Sequence, residues 1–429
     1  LGTWDTVRRV SQGSSSNNHL IGEAAGIFIA ATYFPDFPES EKWRERSQAI
    51  LETEITRQKY EDGCRREHAC GYMFFVSQFE VLCLLAGERS GHTFSDAFRQ
   101  RLHRMYDFLA AMCSDSGRLP AIGDADDGYV IDLGEQPRDA AELITVGAEV
   151  FDDERLRLAP ASETSFWLVG AEPRSESGDR RAESIAYKDA GYFLLRSGSE
   201  RDNEMAVFFD CAELGFGAIA AHGHADCLSF TLTVGGEEMF VDAGTYDYFT
   251  YPEWRNYFRS TRAHNTLEVD GQDQSEMTGP FMWAQRANAN LLAWDDSDDK
   301  VTVSGEHDGY QRLPDPVIHR RTLNLDKRQL ELEVLDDIEA NGEHEVARYF
   351  HLAAECKPEL QESGTVIVHR AGRRLVVEIP GATIDVIYAI DDKHEGWVSD
   401  GYHRRSPSHC LRIVDRIKGN TQLRTVLKA

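Results

Sequence analysis

The apolar residues of this chain change their spacing once, and that change limits the fold more than any other feature. Up to about residue 165 they recur three and four apart, as on one face of a helix. Leu20–Tyr33 is apolar and Ala-rich. Trp43, Ile50, Leu51, Glu54 and Ile55 mark one face of a helix over 41–59. Tyr72–Ala86 is apolar nearly all round, stops at Gly87 and reads as an inner helix. Ser95 is placed to cap a helix carrying Phe98, Leu102, Met105, Leu109 and Met112, and shorter helices are expected near 138–150 and 162–169. Short connections between such helices favour hairpins packed side by side.

Beyond the polar segment Glu172–Glu183 the period becomes two. Strand candidates then succeed one another from Met205–Phe209 through Ser229–Val234, Met239–Asp242, Asn265–Val269, Arg321–Leu325 and Ala347–Leu352 to Gln422–Leu427, with Gly, Asp and Asn at many breaks. No crossover helix is visible between them, so the expected architecture is a large two-layered antiparallel sandwich. The predicted division is a helical domain over 1–170, a linker over 171–185 and a sandwich over 186–429.

The net charge of −27 argues against a nucleic-acid partner, which needs a basic footprint. An anionic substrate would need a cleft that is locally basic against that field. No run approaches the ~20 apolar residues of a membrane span, and no signal-peptide pattern is visible at the start. The eight cysteines are scattered and read as buried, free thiols, with Cys64 and Cys70 near enough in sequence to form a disulfide.

The chemistry-bearing stretch begins at Ala221-His222-Gly223-His224. As an extended segment it would put His222 and His224 on one face, toward Asp242 and His264 from neighbouring strands. Two imidazoles and a carboxylate suit zinc, with a fourth position open. Each histidine taken alone reads as an ordinary core or surface residue. Asn17-Asn18-His19 precedes a helix and could simply cap it. Tyr72 opens an apolar helix and fits a core position as well as a catalytic one. Gly123–Tyr129 is a carboxylate-rich loop without the ligand spacing of an EF-hand, read as a cleft-rim loop. Arg255, Arg259 and Arg262 read as solvated surface arginines that could instead supply local positive charge.

Together these stretches resemble the heparinase II/III-like family of polysaccharide lyases. The resemblance rests on Ser15–Gly26, on Gln58–Glu67 leading to Tyr72, and on His222, His224, Asp242-Ala-Gly-Thr-Tyr246, Arg262-Ala-His264-Asn-Thr and Val269-Asp-Gly271. It implies an α+β multidomain fold: an (α/α) toroid of helical hairpins, then an antiparallel β-sandwich. The Asn-Asn-His motif begins at residue 17, where family members carry a long helical segment ahead of it, so an incomplete toroid is expected. The resemblance implies Tyr72 as general acid and in some members also base, His222 as the second proton-transfer group, and Asn18 with His19 as neutralisers of a substrate carboxylate. It implies Glu23, Glu67, Tyr246 and Arg262 at the substrate, and a chiefly structural zinc on His224, Asp242 and His264. Many members carry His after the tyrosine, and here it is Met73.

The implied reaction is β-elimination on an anionic uronate polysaccharide, glycosaminoglycan-like or alginate-like: C5 loses a proton and the C4–O bond breaks. The developing enolate needs donors where its charge grows, and C5 and O4 need a base and an acid within reach. His222, titrating near ~6.5 when unperturbed, suits the base, and Tyr72, near ~10, suits the acid. A non-catalytic glycan binder and a uronyl C5-epimerase use the same residues and stay open. The resemblance favours a periplasmic or secreted protein, leaves a cytoplasmic one open, and leaves room for a homo-oligomer that completes the cleft.

Overall fold

Asn17 starts the first described helix by accepting the His19 amide on its side chain, and leaves Asn18 as that helix's first residue. The computed structural model describes residues 16–133, 139–171, 183–198, 204–361 and 364–429. The predicted linker lies largely outside them, as does Ser15. Six helices match the pattern of the sequence: α1 (Asn18–Tyr33), α2 (Ser40–Arg57), α3 (Cys70–Ser90), α4 (Asp96–Met112), α5 (Ala140–Phe151) and α6 (Glu163–Val169). α1 packs on α2 and on α3, α3 on α4, and α5 on α6.

α3 is the inner helix of this unit. Met73, Val76, Val81 and Cys83 are fully buried, each large side chain contributing about 1.5–3 kcal/mol of transfer free energy. It is long and apolar enough to cross a membrane by composition, contrary to the expectation that no such run exists, but 78% of its apolar window is buried inside the protein. It also runs past the predicted stop at Gly87 and ends at Ser90, capped by Gly91 with φ 77°. Gly87 is there because a side chain would press into the His92 carbonyl and the Phe94 ring.

Contacts divide the described residues into two units. The helical unit holds 16–119 and 127–171; the sheet unit holds 120–126 and the residues from 183 onward. A cut at residue 170 therefore misplaces the short segment Pro120–Asp126, which clusters with the sheets.

The sheet unit is antiparallel throughout. Its strands are β1 (Ile185–Tyr187), β2 (Tyr192–Arg196), β3 (Met205–Asp210), β4 (Phe230–Val234), β5 (Glu237–Phe240), β6 (Leu267–Val269), β7 (Met277–Gly279), β8 (Met282–Trp283), β9 (Ala289–Asp296), β10 (Lys300–His307), β11 (Ile318–Asp326), β12 (Glu331–Glu339), β13 (Glu343–His351), β14 (Lys357–Leu360), β15 (Thr365–Arg370), β16 (Arg373–Glu378), β17 (Ile384–Tyr388), β18 (Trp397–Gly401), β19 (Arg404–Pro407), β20 (His409–Lys418) and β21 (Thr421–Lys428). They form a five-stranded sheet β1-β2-β3-β4-β5, an eight-stranded sheet β14-β15-β16-β21-β12-β11-β10-β9, and a four-stranded sheet β17-β20-β13-β6, with two small hairpins. One core joins all three: Val207, Phe230, Leu232, Val303, Leu323, Val334, Phe350 and Leu411 are buried together.

β11 and β12 alternate buried and half-buried residues along their length, which is why their period was legible. β2 is buried at every position and β9 is a mostly exposed edge strand, so neither alternates and neither was predicted. The sheet half also contains a helix, α7 (Pro252–Arg259), where none was expected. All eight cysteines are free and buried, so Cys64 and Cys70 form no disulfide. Burial raises the thiols of Cys211, to about 12, and Cys356, to about 11.

Candidate active site

His222 and His224 lie on a turn-rich loop ahead of β4, not on a strand. Gly223 between them approaches Leu214 so closely that a Cβ would overlap the Leu214 carbonyl oxygen. The loop is tied down by the Gly223 amide on the Ala220 carbonyl (3.2 Å) and the Ala225 amide on the Arg259 carbonyl (3.0 Å). Asp242 comes just after β5, its Oδ1 accepting the Gly244 amide at 3.0 Å. His264 ends a short 3-10 turn before β6. Its neighbour Asn265 stitches these pieces together. The Asn265 side chain donates to the carbonyls of Phe230 (2.7 Å) and Val241 (2.9 Å) and accepts from the His351 amide (2.6 Å).

The result is a buried triangle of His224, Asp242 and His264, with one ligand atom from each within 4.8 Å of the others. Among the described residues, Nδ1 of His224 and Nε2 of His264 are buried without a hydrogen-bond partner. Nδ1 of His264 lies 2.8 Å from Asp242 Oδ2. Unpaired buried nitrogens are costly unless something binds them, and this donor set fits a divalent ion such as zinc. The charge around it points the same way. Asp210 and Asp226 are also buried nearby; burial raises both, with repulsion from Asp226 adding to Asp210 and repulsion from Asp242 adding to Asp226, which reaches about 7. Burial works against the charged form of His264, but Asp242, with Asp226 and Asp273 behind it, raises the ring above the usual imidazole range.

A residue outside the predicted set organises this corner. Asp124 is fully buried in the sheet unit. Its Oδ2 is 3.1 Å from His222 Nδ1, its Oδ1 is 3.0 Å from His224 Nε2, and the Arg255 guanidinium donates to both oxygens. Burial opposes its charge, yet Arg255 and the two rings hold its carboxyl well below the usual range. An ionised carboxylate only accepts hydrogen bonds. The ring nitrogens facing it must therefore carry their protons: Nδ1 of His222 and Nε2 of His224. In the neutral rings the basic nitrogens are then Nε2 of His222 and Nδ1 of His224, and the second is the unpaired atom in the triangle. His224 itself is lowered to about 4, mainly by burial. The sequence carried a signal for Asp124 only as one acidic residue in Gly123–Tyr129.

The expected surface arginines are corrected by the structure. Arg255 and Arg259 are fully buried; Arg255 stacks near Tyr248 and Phe281, and Arg259 lies over Trp283. Of the three, Arg262 alone is partly exposed, near Glu395 at 3.7 Å and over the Tyr257 ring. Tyr246 is half-buried in an aromatic box with Tyr251, Trp254 and Phe258, under the Arg405 guanidinium.

The remaining predicted residues belong to the helical unit. His19 and Glu23 are exposed on α1. Tyr72 is buried in the first turn of α3, the end where the helix dipole is positive. Asn18 is buried, and its Nδ2 donates to Glu67 at 2.8 Å. Glu67 is itself buried and pairs with Arg65, whose guanidinium also reaches Gln58. In this geometry Glu67 orients Asn18.

The family model for the heparinase II/III-like C-terminal domain matches residues 179–425, and the heparinase II/III N-terminus model matches 10–144. A heparin-sulfate lyase from Pedobacter heparinus is 24% identical over 268 residues, 61% of this chain and 37% of that protein. The structure of a heparan sulfate lyase from the same organism aligns with TM-score 0.75 at 18% identity, over 99% of this chain and 61% of the other. A heparinase III structure aligns with TM-score 0.79 at 17% identity, over 99% and 62%. The chain thus spans about two-fifths of the curated relatives it matches and about three-fifths of the solved chains.

Proposed function

Because this chain belongs to the heparinase II/III-like family, we propose that it acts as a lyase on a uronate-containing glycosaminoglycan of the heparan sulfate class, by β-elimination. The observation that carries this reading lies in the sheet unit. A His–Asp–His ligand triangle stands beside a third imidazole, His222, whose tautomer one shared carboxylate dictates.

In this reading Nε2 of His222 takes the C5 proton. The Asp124 carboxylate steadies the imidazolium that forms, as in other acid–base dyads. Asn18, held by Glu67, acts with His19 on the uronate carboxylate and lowers the energy of the enolate where its charge grows. Tyr72 protonates O4 as the bond to C4 breaks. It can do so as a neutral phenol, with no shift required. Bound zinc would supply fixed positive charge and a cross-link among the loops carrying His224, Asp242 and His264.

The test is a panel of heparan sulfate, other glycosaminoglycans and alginate, with the ultraviolet absorbance of unsaturated uronate as the readout. Heparan sulfate should give the largest rate, and Tyr72→Phe should abolish it. Binding without absorbance would identify a glycan binder, and deuterium exchange at C5 without chain shortening an epimerase.

The metal makes its own prediction. His224→Ala, or prolonged chelation, should remove zinc and lower the melting temperature by roughly 10 °C, since a tightly held ion contributes about 4 kcal/mol. Turnover should fall with it. A His224→Ala protein that melts normally at wild-type turnover would remove the metal from this account.

A further inference from the structure

Asp124 touches both the imidazole assigned to proton transfer and an imidazole assigned to the metal. We infer that Asp124 is a positioning residue that sets the tautomers of His222 and His224 together, so that one carboxylate determines both where the metal is held and which nitrogen of His222 is basic. The inference rests on the roles proposed above for those two histidines.

The argument is one of donors and acceptors. A carboxylate offers about four lone-pair directions and no proton. Here four side-chain donors meet them: Nδ1 of His222, Nε2 of His224 and two nitrogens of Arg255. Each of these must be an N–H, so neither ring can turn its lone pair toward Asp124. The backbone locks the same arrangement, because the Asp124 amide donates to the His222 carbonyl at 3.0 Å. The rings cannot rotate into alternatives, since both are buried and the loop between them has no room at Gly223. Arg255 is in turn fixed by the Pro280 carbonyl, at 3.0 Å from Nε and 2.8 Å from a terminal nitrogen. The guanidinium that holds the carboxylate is thus itself anchored.

Replacing this carboxylate by its amide inverts the logic at nearly constant shape. Asparagine presents one oxygen and one NH2 group. Whichever ring meets the NH2 must accept from it and move its own proton to the far nitrogen. At His224 that proton would occupy Nδ1 and block the ligand atom. At His222 it would occupy Nε2 and remove the base. A carboxylate-to-amide change beside a catalytic histidine lowers kcat by as much as about 10⁴-fold in a serine protease through this tautomer effect.

Asp124→Asn should therefore remain folded, by circular dichroism and a melting curve. It should lose either most of its zinc, by elemental analysis, or at least about 1000-fold in kcat on heparan sulfate with KM changed less than about three-fold. Long-range proton–nitrogen NMR of the histidine-labelled wild-type protein reads the tautomers directly. Protons at Nδ1 of His222 and Nε2 of His224 are expected. The opposite proton on either ring of the wild type overturns the inference without any variant. So does a folded Asp124→Asn protein with full zinc and wild-type kcat. His222→Ala separates the two levels: if it keeps wild-type turnover, the proposed role of His222 is wrong, whereas an inactive His222→Ala beside a fully active Asp124→Asn removes Asp124 alone.

Discussion

On the metal site and the proton-transfer role proposed above for His222, Gly223→Ala should lose at least about 100-fold in turnover and retain less than half the zinc of the parent protein, because a shift of about 1 Å at a catalytic group can cost that much. The reason is space rather than backbone freedom. A methyl group at residue 223 would sit on the Leu214 carbonyl oxygen, which is backbone and has nowhere to go. The loop must back away, and it carries His222 on one side and His224 on the other. Both rings would then leave Asp124, where they now stand at 3.1 and 3.0 Å. Elemental analysis and uronate absorbance measure the two losses. Gly26→Ala is the matched control: that glycine lies in α1 with nothing near an added Cβ, so the change should be neutral or stabilise by up to ~1 kcal/mol. Wild-type zinc content and turnover in Gly223→Ala would mean that the loop tolerates displacement, and the tight placement argued here would fail.

Arg321→Met should destabilise the sheet unit by roughly 3–5 kcal/mol, the usual consequence of leaving one member of a buried ion pair alone. Arg321 is fully buried on β11. Its Nε donates to Asp336 Oδ1 at 2.7 Å, and another nitrogen reaches Oδ2 at 3.1 Å. Its remaining nitrogen donates to the carbonyls of Leu228 (2.8 Å) and Asn265 (2.6 Å). Those two carbonyls sit in the loops that carry His224 and His264. Leu228 holds a left-handed conformation, φ 60°, that needs such support. Nε2 of His319 also meets Asp336 Oδ1, at 2.8 Å. The double variant Arg321→Met/Asp336→Leu should recover part of the loss by removing the orphaned charge, but not the part due to the two carbonyls. Chemical denaturation reads both numbers. A single variant within about 1 kcal/mol of the parent would show that the pair contributes little.

How much of this was legible depended on what each residue has to face. β11 and β12 have one side on the core and one toward solvent, so their alternation announced them. β2 has no polar side and announced nothing. His224, Asp242 and His264 were readable as a donor set because their chemistry is specific, although the loop bearing the first is a turn and not the extended segment expected. Asp124 was not readable, since it lies about a hundred residues from the histidines it meets, on a short segment that leaves the helical unit for the sheets. Arg255 and Arg259 looked solvated because the carboxylate that Arg255 meets, Asp124, lies far away in the sequence, and their other partners are carbonyl oxygens and aromatic faces, which leave no charge pattern. Glu67 read from the sequence as a residue for the sugar; its buried pairing with Arg65 and with Asn18, the latter 49 residues away, left no mark in the pattern.

Because every native thiol is enclosed, maleimide dyes should leave the folded protein unlabelled. A cysteine introduced at an exposed position would then be the sole reactive handle. Such a handle on the exposed face of β9 would accept a fluorophore with little background and report on the sheet unit by itself.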